Sequence, residues 1–293
     1  MIIVRLMGGL GNQMFQYAFG RGLAIRNSTG LFLDTSFLDE RENIQHTIRD
    51  FELKIFEVPV AIASKKDVTS FRSLRSGFFA KVYARFPFIF NKHFLLEKNF
   101  QFDPNAFAAK GSVYAEGYWQ SQKYFIDFES TIRNDFEFNT TPSLKNSEVL
   151  MQIKSGVSVS MHVRRGDMVS LSAAASFHGT CSKEYYMEAL QKMKSKFNNF
   201  HLFVFSDDLD YVRSSFQFDM PFTIVDHNNG ASSYEDMRLM SNCSHHIIAN
   251  SSFSWWGAWL NPNPAKMVIA PEKWFASSDI NTSDLIPDTW IRI

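Results

Sequence analysis

Cysteine is scarce: Cys181 and Cys243 are the only two among 293 residues. Two thiols cannot build the disulfide framework on which small secreted folds depend, and a chain of this length has core enough without one. Neither stands at zinc spacing from a second cysteine. His245 and His246 follow Cys243 closely, but structural zinc usually draws four ligands from well-separated pairs, so buried, reduced thiols are expected. Net charge is absent as well, with 30 Lys and Arg against 30 Asp and Glu. Without an overall field the chain lacks the electrostatic footprint of a nucleic-acid binder, and any anion binding has to be local. Long apolar runs are also missing, since none approaches the ~18 residues that a membrane helix needs. The opening Met1-Ile2-Ile3-Val4-Arg5-Leu6 is too short for a signal-peptide core and has no basic start or small-residue cleavage site. A cytoplasmic protein without a transmembrane segment is the expectation.

What is present is a large apolar fraction, 45%, with 30 phenylalanines. That supports a well-developed core in one large domain or two of ordinary size. Residues 2–7 read as a buried strand, followed by Gly8-Gly9-Leu10-Gly11-Asn12-Gln13 and a helix from about Gln13 to Arg26. Strand, glycine-rich turn and helix look like an anion cradle, and a tight packing turn is the plainer alternative. The dinucleotide fingerprint fails because Met14 stands where its third glycine belongs; Asn12 and Gln13 offer neutral donors instead. Leu31-Phe32-Leu33-Asp34 reads as a second strand, with Asp34 at about the distance of a ribose-binding carboxylate. Residues 36–112 carry no readable pattern, and their Phe78-Phe79 and Phe86–Phe90 runs suit a core or a domain interface. A strand at 113–117 precedes a polar, aromatic loop and a helix through Phe125, Phe128, Ile132 and Phe136.

Composition turns towards turn-formers at 139–156, and the boundary is drawn there: 1–150, 151–275, and a tail, 276–293, that could pack back on the first domain. The second part is regular. Strands at about 157–163, 200–205, 222–225, 245–249 and 266–270 alternate with helices at about 183–197, 208–215, 233–241 and 253–260. Such alternation implies βαβ crossovers and a mostly parallel sheet. Ligands of open α/β sheets sit beyond the C-terminal strand tips. The first tip carries His162-Val163-Arg164-Arg165-Gly166-Asp167. Two guanidinium forks suit paired phosphate or carboxylate oxygens, or they serve an Arg–carboxylate network closed by Asp167. Two further tips carry Ser206-Asp207-Asp208 and Asn250-Ser251-Ser252-Phe253-Ser254, the latter leading into a helix. Hydroxyls and free N–H groups at a helix start suit phosphate, or simply cap the helix. Asp208-Leu209-Asp210 resembles an Asp-x-Asp metal site but is better read as a helix's first turn.

Taken together, these motifs resemble the α-1,2-fucosyltransferases of glycosyltransferase family 11 over nearly the whole chain. The resemblance rests on Gly8–Tyr17, Gly117-Tyr118-Trp119-Gln120-Ser121, His162–Asp167, Phe205–Asp208 and the block from Tyr234-Glu235-Asp236 through Asn250–Trp259. It implies a GT-B-like α/β fold, two Rossmann-like domains facing across a cleft, with the acceptor on the first. It also implies GDP-β-L-fucose as donor, a galactose-terminated glycan as acceptor, inverting transfer to the galactose 2-hydroxyl, and no metal or other cofactor. Bacterial members are soluble or peripheral at the inner membrane. By the same resemblance Arg164 and Arg165 face the β-phosphate with help from Ser251, Ser252, Phe253 and Ser254. His162, Ser206 and Asp207 lie near the nucleotide, Asp236 accepts from guanine, and Asn12 reaches the phosphate side from the other domain. For the base that deprotonates the acceptor hydroxyl, Asp167, His178 and Glu116 stand open. A different sugar nucleotide or linkage, an idle carbohydrate-binding protein on this fold, and a dinucleotide oxidoreductase are the competing readings.

Overall fold

The computed structural model describes residues 1–39, 49–75, 81, 85, 92–166, 179–277 and 279–293. The chain divides into two compact units, Met1–Asn139 with Asn281–Leu285, and Thr140–Ile280 with Ile286–Ile293. Among the described residues, no helix is long and apolar enough to cross a membrane.

The first unit is a parallel sheet of β1 (Ile2–Arg5), β2 (Leu31–Asp34), β3 (Ala61–Ile62), β4 (Lys92–Leu96) and β5 (Ser112–Glu116), in the order β3-β2-β1-β5-β4. The β-branched start of β1 is fully buried because strands flank it on both sides. Helix α1 (Leu10–Arg26) packs against it and hides Met14, Phe15, Tyr17, Ala18, Phe19 and Leu23. That near-complete burial explains an apolar surface wider than one stripe. Helix α2 (Lys65–Arg72) covers Ile3 and Tyr114 with Val68 and Phe71. The aromatic loop after β5 stacks Trp119 on Phe19, ring centroids 4.1 Å apart and 7° from parallel.

The stretch through Phe125 is not one helix. It forms two 3-10 turns, Gln122–Tyr124 and Ile126–Phe128, before α3 (Glu129–Asp135). Phe125, at φ −142° and ψ 2°, leaves the helical region, and burial of its ring is reached by a bend rather than by helical periodicity.

The second unit opens with α4 (Leu144–Lys154), and the chain divides at Asn139/Thr140, at the start of the turn-rich stretch. Ser143 caps α4 by accepting from the Asn146 N–H. Its sheet holds β6 (Ser158–Val163), β7 (His201–Ser206), β8 (Phe222–Val225), β9 (His245–Ile247), β10 (Val268–Ala270) and β11 (Ile291–Arg292), all parallel, in the order β11-β10-β9-β6-β7-β8. Between the strands run α5 (Lys183–Lys196), α6 (Leu209–Ser215), α7 (Tyr234–Asn242) and α8 (Ser252–Leu260). On α5, Tyr186, Leu190 and Met193 face the sheet as their spacing predicts. Of the last residues, Asn281–Leu285 join the first unit through Asp284, which accepts from the Phe102 N–H and pairs with Lys123 at 2.5 Å. β11 returns to the second unit.

Each sheet therefore reverses its strand order once, between β1 and β5 in the first unit and between β6 and β9 in the second. At such points the neighbouring tips diverge and leave a crevice for a ligand.

Candidate active site

In the second unit the reversal brings together the tips of β6 and β9, with β7 beside β6. All six residues of β6 are buried, so the chain emerges from it at a fixed point. Arg164 and Arg165 follow, and both are held by β7's tip. Arg164 Nη1 pairs with Asp207 Oδ2 at 2.5 Å, and the Arg165 N–H donates to Asp207 Oδ1 at 2.8 Å. Arg165 Nε pairs with Asp208 Oδ2 at 3.2 Å while its guanidinium lies 3.7 Å from the Tyr211 ring centroid. A Cβ on Gly166 would collide with the Asp207 carboxylate, so that close approach requires glycine. The network that the paired arginines suggested does form. Its carboxylates are Asp207 and Asp208 from the next strand, 43 residues beyond Arg164 and Arg165; Asp167 and His178 lie outside the described residues.

The pairing corrects one expectation. Among the described residues the two arginines are each paired with an aspartate, so the cluster offers directed N–H donors rather than an isolated pair of cations. Ser206 is spent on the same brace, since its hydroxyl donates to the Val163 carbonyl at 2.8 Å and accepts from the Asp208 N–H at 3.0 Å. It ties two strand tips together rather than offering a hydroxyl to a ligand. Asp208 caps α6 by accepting from Tyr211, and Asp210 sits in the first turn, as helix-start carboxylates do.

His162 stands on β6 beneath the arginines, its ring centroid 5.8 Å from that of Phe253. Burial pushes its pKa down to about 4, with Arg164 adding to the effect and Asp207 opposing it. The ring is neutral at physiological pH. Among the described residues its buried Nδ1 has no hydrogen-bond partner, a cost of about 1–3 kcal/mol that proteins tolerate mainly at functional positions.

From the β9 side, Ser251 caps α8 by accepting from the Phe253 N–H at 3.3 Å. Ser251, Ser252 and Phe253 are half-buried and border the tip. Ser254 does not reach it: the residue is 0% exposed and its hydroxyl donates to the Ser251 carbonyl, so it holds the turn from inside. Behind this turn, Cys243 is buried with its thiol donating to Leu239. His246 bonds Ser160 and Asn261 through its two ring nitrogens, and His245 Nδ1 accepts from Met267. Those three side chains are committed to the core. Among the described residues no group of three or more His, Cys, Asp or Glu converges as a metal site.

Asp236 belongs to a second cluster. Its Oδ1 accepts from Asn228 Nδ2 at 2.8 Å; Asn228 exchanges hydrogen bonds with Asn146, and His227 contacts Asn146 at 2.7 Å. Burial raises the Asp236 pKa to about 7, Glu235 adds to the rise and the Asn228 bond resists it. Neither Asn146 nor Asn228 is legible as a site residue in the sequence, because an Asn beside a helix start carries no signal of its own.

In the first unit the glycine-rich turn does not cradle an anion. Glu52 occupies the start of α1, its Oε2 accepting from the Leu10 N–H at 2.9 Å. Gln13, fully buried, donates to the Gly8 and Asp50 carbonyls and accepts from the Glu52 N–H, so it is an internal clamp rather than a ligand donor. Asn12 accepts from Gln120 Nε2 at 2.8 Å, joining the tips of β1 and β5. Asp34 is buried under Tyr114, which donates to its Oδ2 at 2.6 Å beside Arg72, while the Ser36 N–H donates to Oδ1. That removes the ribose-binding carboxylate from the oxidoreductase reading. Glu116 pairs with Arg5 at 2.9 Å. Glu97, unread in the sequence, follows β4 and accepts from the Tyr118 and Trp119 N–H groups.

The profile of Glycosyl transferase family 11 matches residues 1–293. An alpha-1,2-colitosyltransferase of Escherichia coli is 35% identical over 315 residues, spanning 100% of this chain and 98% of that protein. The O-antigen biosynthesis glycosyltransferase WbnK, also of Escherichia coli, is 32% identical over 312 residues, spanning 98% and 99%. Among solved structures, NodZ alpha-1,6-fucosyltransferase soaked with GDP-fucose superposes with a TM-score of 0.50 at 15% identity, covering 89% of this chain and 92% of that one. The likeness is one of fold: two parallel-sheet α/β units of GT-B type.

Proposed function

The chain belongs to glycosyl transferase family 11, and from that premise we propose that it moves a 6-deoxyhexose from a GDP-activated donor to the 2-hydroxyl of a terminal galactose, with inversion and without a metal. L-Fucose from GDP-β-L-fucose is the first reading. The observation that carries it is the crevice between β6 and β9, where neutral His162, two braced arginines and the start of α8 converge. A second donor has its own support. The 35% identical colitosyltransferase spans the full chain, and colitose is fucose without its 3-hydroxyl, so GDP-colitose is the alternative substrate.

In this reading charge builds on the β-phosphate as the bond to C1 breaks. Arg164 and Arg165 supply N–H donors to it, already oriented by Asp207 and Asp208, so little ordering is needed at the moment of reaction. His162 bonds the nucleotide as a neutral group. Asp236 accepts from the two adjacent N–H donors of guanine, which restores the carboxylate form that burial disfavours. The first unit takes the glycan acceptor. A cytoplasmic enzyme of surface-polysaccharide assembly fits the Escherichia coli relative named for O-antigen biosynthesis.

The test is incubation with GDP-fucose, GDP-colitose, GDP-mannose and UDP-sugars against a panel of β-galactosides, with and without EDTA, reading linkage by NMR. An α-1,2-linked deoxyhexose formed equally in EDTA is the expected result. No product from any GDP-sugar would overturn the reading, and a UDP-sugar product would move the chain to another donor class.

A further inference from the structure

The strand tips of the first unit carry a cluster to which nucleotide binding gives no role. Glu97 leaves β4 with its N–H on the Glu116 carbonyl, 2.9 Å. Its carboxylate accepts from the Tyr118 N–H at 2.6 Å and the Trp119 N–H at 2.9 Å. Only glycine at 117 allows this, because a Cβ there would collide with the Glu97 side chain. Trp119 holds a left-handed backbone, φ +56°, a strain of order 1–3 kcal/mol for a bulky residue. Trp119 Nε1 and Gln120 Oε1 are buried and have no partner among the described residues. These costs fall on residues 117–120, next to the reversal between β1 and β5, and what they achieve is two consecutive N–H groups aimed at one carboxylate.

A loop that needed only a brace would be served by a neutral acceptor. Here the acceptor is ionisable and half-buried, with no cation acting on it among the described residues. Its charged neighbours look elsewhere: Glu116 is paired with Arg5, and Lys123 with Asp284. The titratable groups that face Glu97 are the hydroxyls of Tyr118 and Tyr124, both raised above their ordinary value and neutral. Burial lifts Glu97 to about 7 even though both N–H bonds pull the other way. Each carboxylate oxygen, having accepted one N–H, keeps a second lone pair.

We propose that Glu97 is the catalytic base of the transfer, the group that receives the proton of the acceptor hydroxyl. The inference rests on the reading of the chain as a GDP-sugar transferase. As the acceptor oxygen bonds to C1 of the donor sugar, the bond from C1 to the β-phosphate oxygen breaks and its electron pair leaves on GDP. The hydroxyl proton passes to Glu97 and from there to solvent, which returns the carboxylate.

Glu97→Gln keeps an acceptor oxygen and removes the basicity. It is expected to lower kcat by about 10²–10³-fold, within the range for a lost general base. The acceptor KM and GDP affinity should stay within about threefold, as for loss of an interaction made mainly in the transition state. In the wild type kcat/KM should rise with pH through a midpoint near 7, and that limb should vanish in the variant. Added formate should restore part of the rate of Glu97→Ala, a response that a merely bracing residue would not give. A Glu97→Gln enzyme that keeps its rate or its limb overturns the proposal. Should both variants misfold, the wild type decides: carboxyl-labelled glutamate followed by NMR must titrate with the kinetic limb, and a mismatch overturns it. A wild type that transfers nothing from any GDP-sugar would sink the functional reading instead, and is told apart from an active enzyme indifferent to Glu97.

Discussion

The two sheets reverse at equivalent places and fill the crevices with opposite chemistry. Between β6 and β9, cations and carboxylates are matched one to one, and the histidine is neutral. At the tips of β5 and β4, beside the reversal between β1 and β5, Glu116 is paired with Arg5 and Glu97 accepts from two backbone N–H groups. The first arrangement presents donors whose direction is fixed, which suits an anion that gains charge during reaction. The second presents an acceptor poised to change protonation, which suits a neutral hydroxyl. One scaffold therefore carries two kinds of chemistry because different partners stand at its strand tips.

The contrast can be broken most sharply at the arginines. Lysine at 164 or 165 keeps the charge and loses the fork that Asp207 and Asp208 orient. At the productive one of the two arginines, Arg→Lys is expected to lower kcat about 10²-fold or more, in the range for a lost oxyanion donor. Steady-state rates near wild type for both single variants would show that fixed direction is not what the crevice supplies.

A smaller effect is expected at Asp236, through pH. Its pKa is raised to about 7 in the folded protein against about 4 when unfolded. The folded state then binds the extra proton between those values, so this group's contribution to stability falls as pH rises from about 4 to 7. Thermal melts of the free protein at pH 5 and pH 8 should show that loss, and Asp236→Asn should reduce the slope. GDP affinity should move the other way, strengthening as the carboxylate ionises, and a flat GDP titration across that window would remove Asp236 from guanine recognition. The smallest effect belongs to Glu116→Gln. Loss of the partly buried Arg5 pair is expected to cost about 1 kcal/mol of stability and to leave kcat within about threefold. A loss of rate as large as that of Glu97→Gln would erase the distinction between the two carboxylates.

Much of the second unit could be read in advance. Its first three strands and helices α5–α8 fall within a residue or two of expectation, because β-branched and aromatic runs leave a plain pattern, whereas α4 lies in the stretch expected to be turns. The first unit resisted. β3 is two exposed residues and β4 begins Lys92-His93, both at sheet edges where the apolar signal thins. β11 is two residues paired only at an edge. The arginines were legible by type, but their partners were not, since Asp207 and Asp208 meet them only after β7 has been laid beside β6. Glu97 was invisible for the same reason: its carboxylate acquires meaning from Gly117 and the bent backbone of Trp119, which lie on another strand's tip.

Glu52 at the start of α1 has a consequence for stoichiometry. Both units have the topology that elsewhere receives a nucleotide, and either could compete for GDP. A carboxylate of the chain's own already sits on the Leu10 N–H, where it excludes a second anion both sterically and by repulsion. Calorimetric titration with GDP should therefore saturate at about one equivalent per chain, and Glu52→Gln, which lifts the repulsion, is the change that would reveal a weak second site.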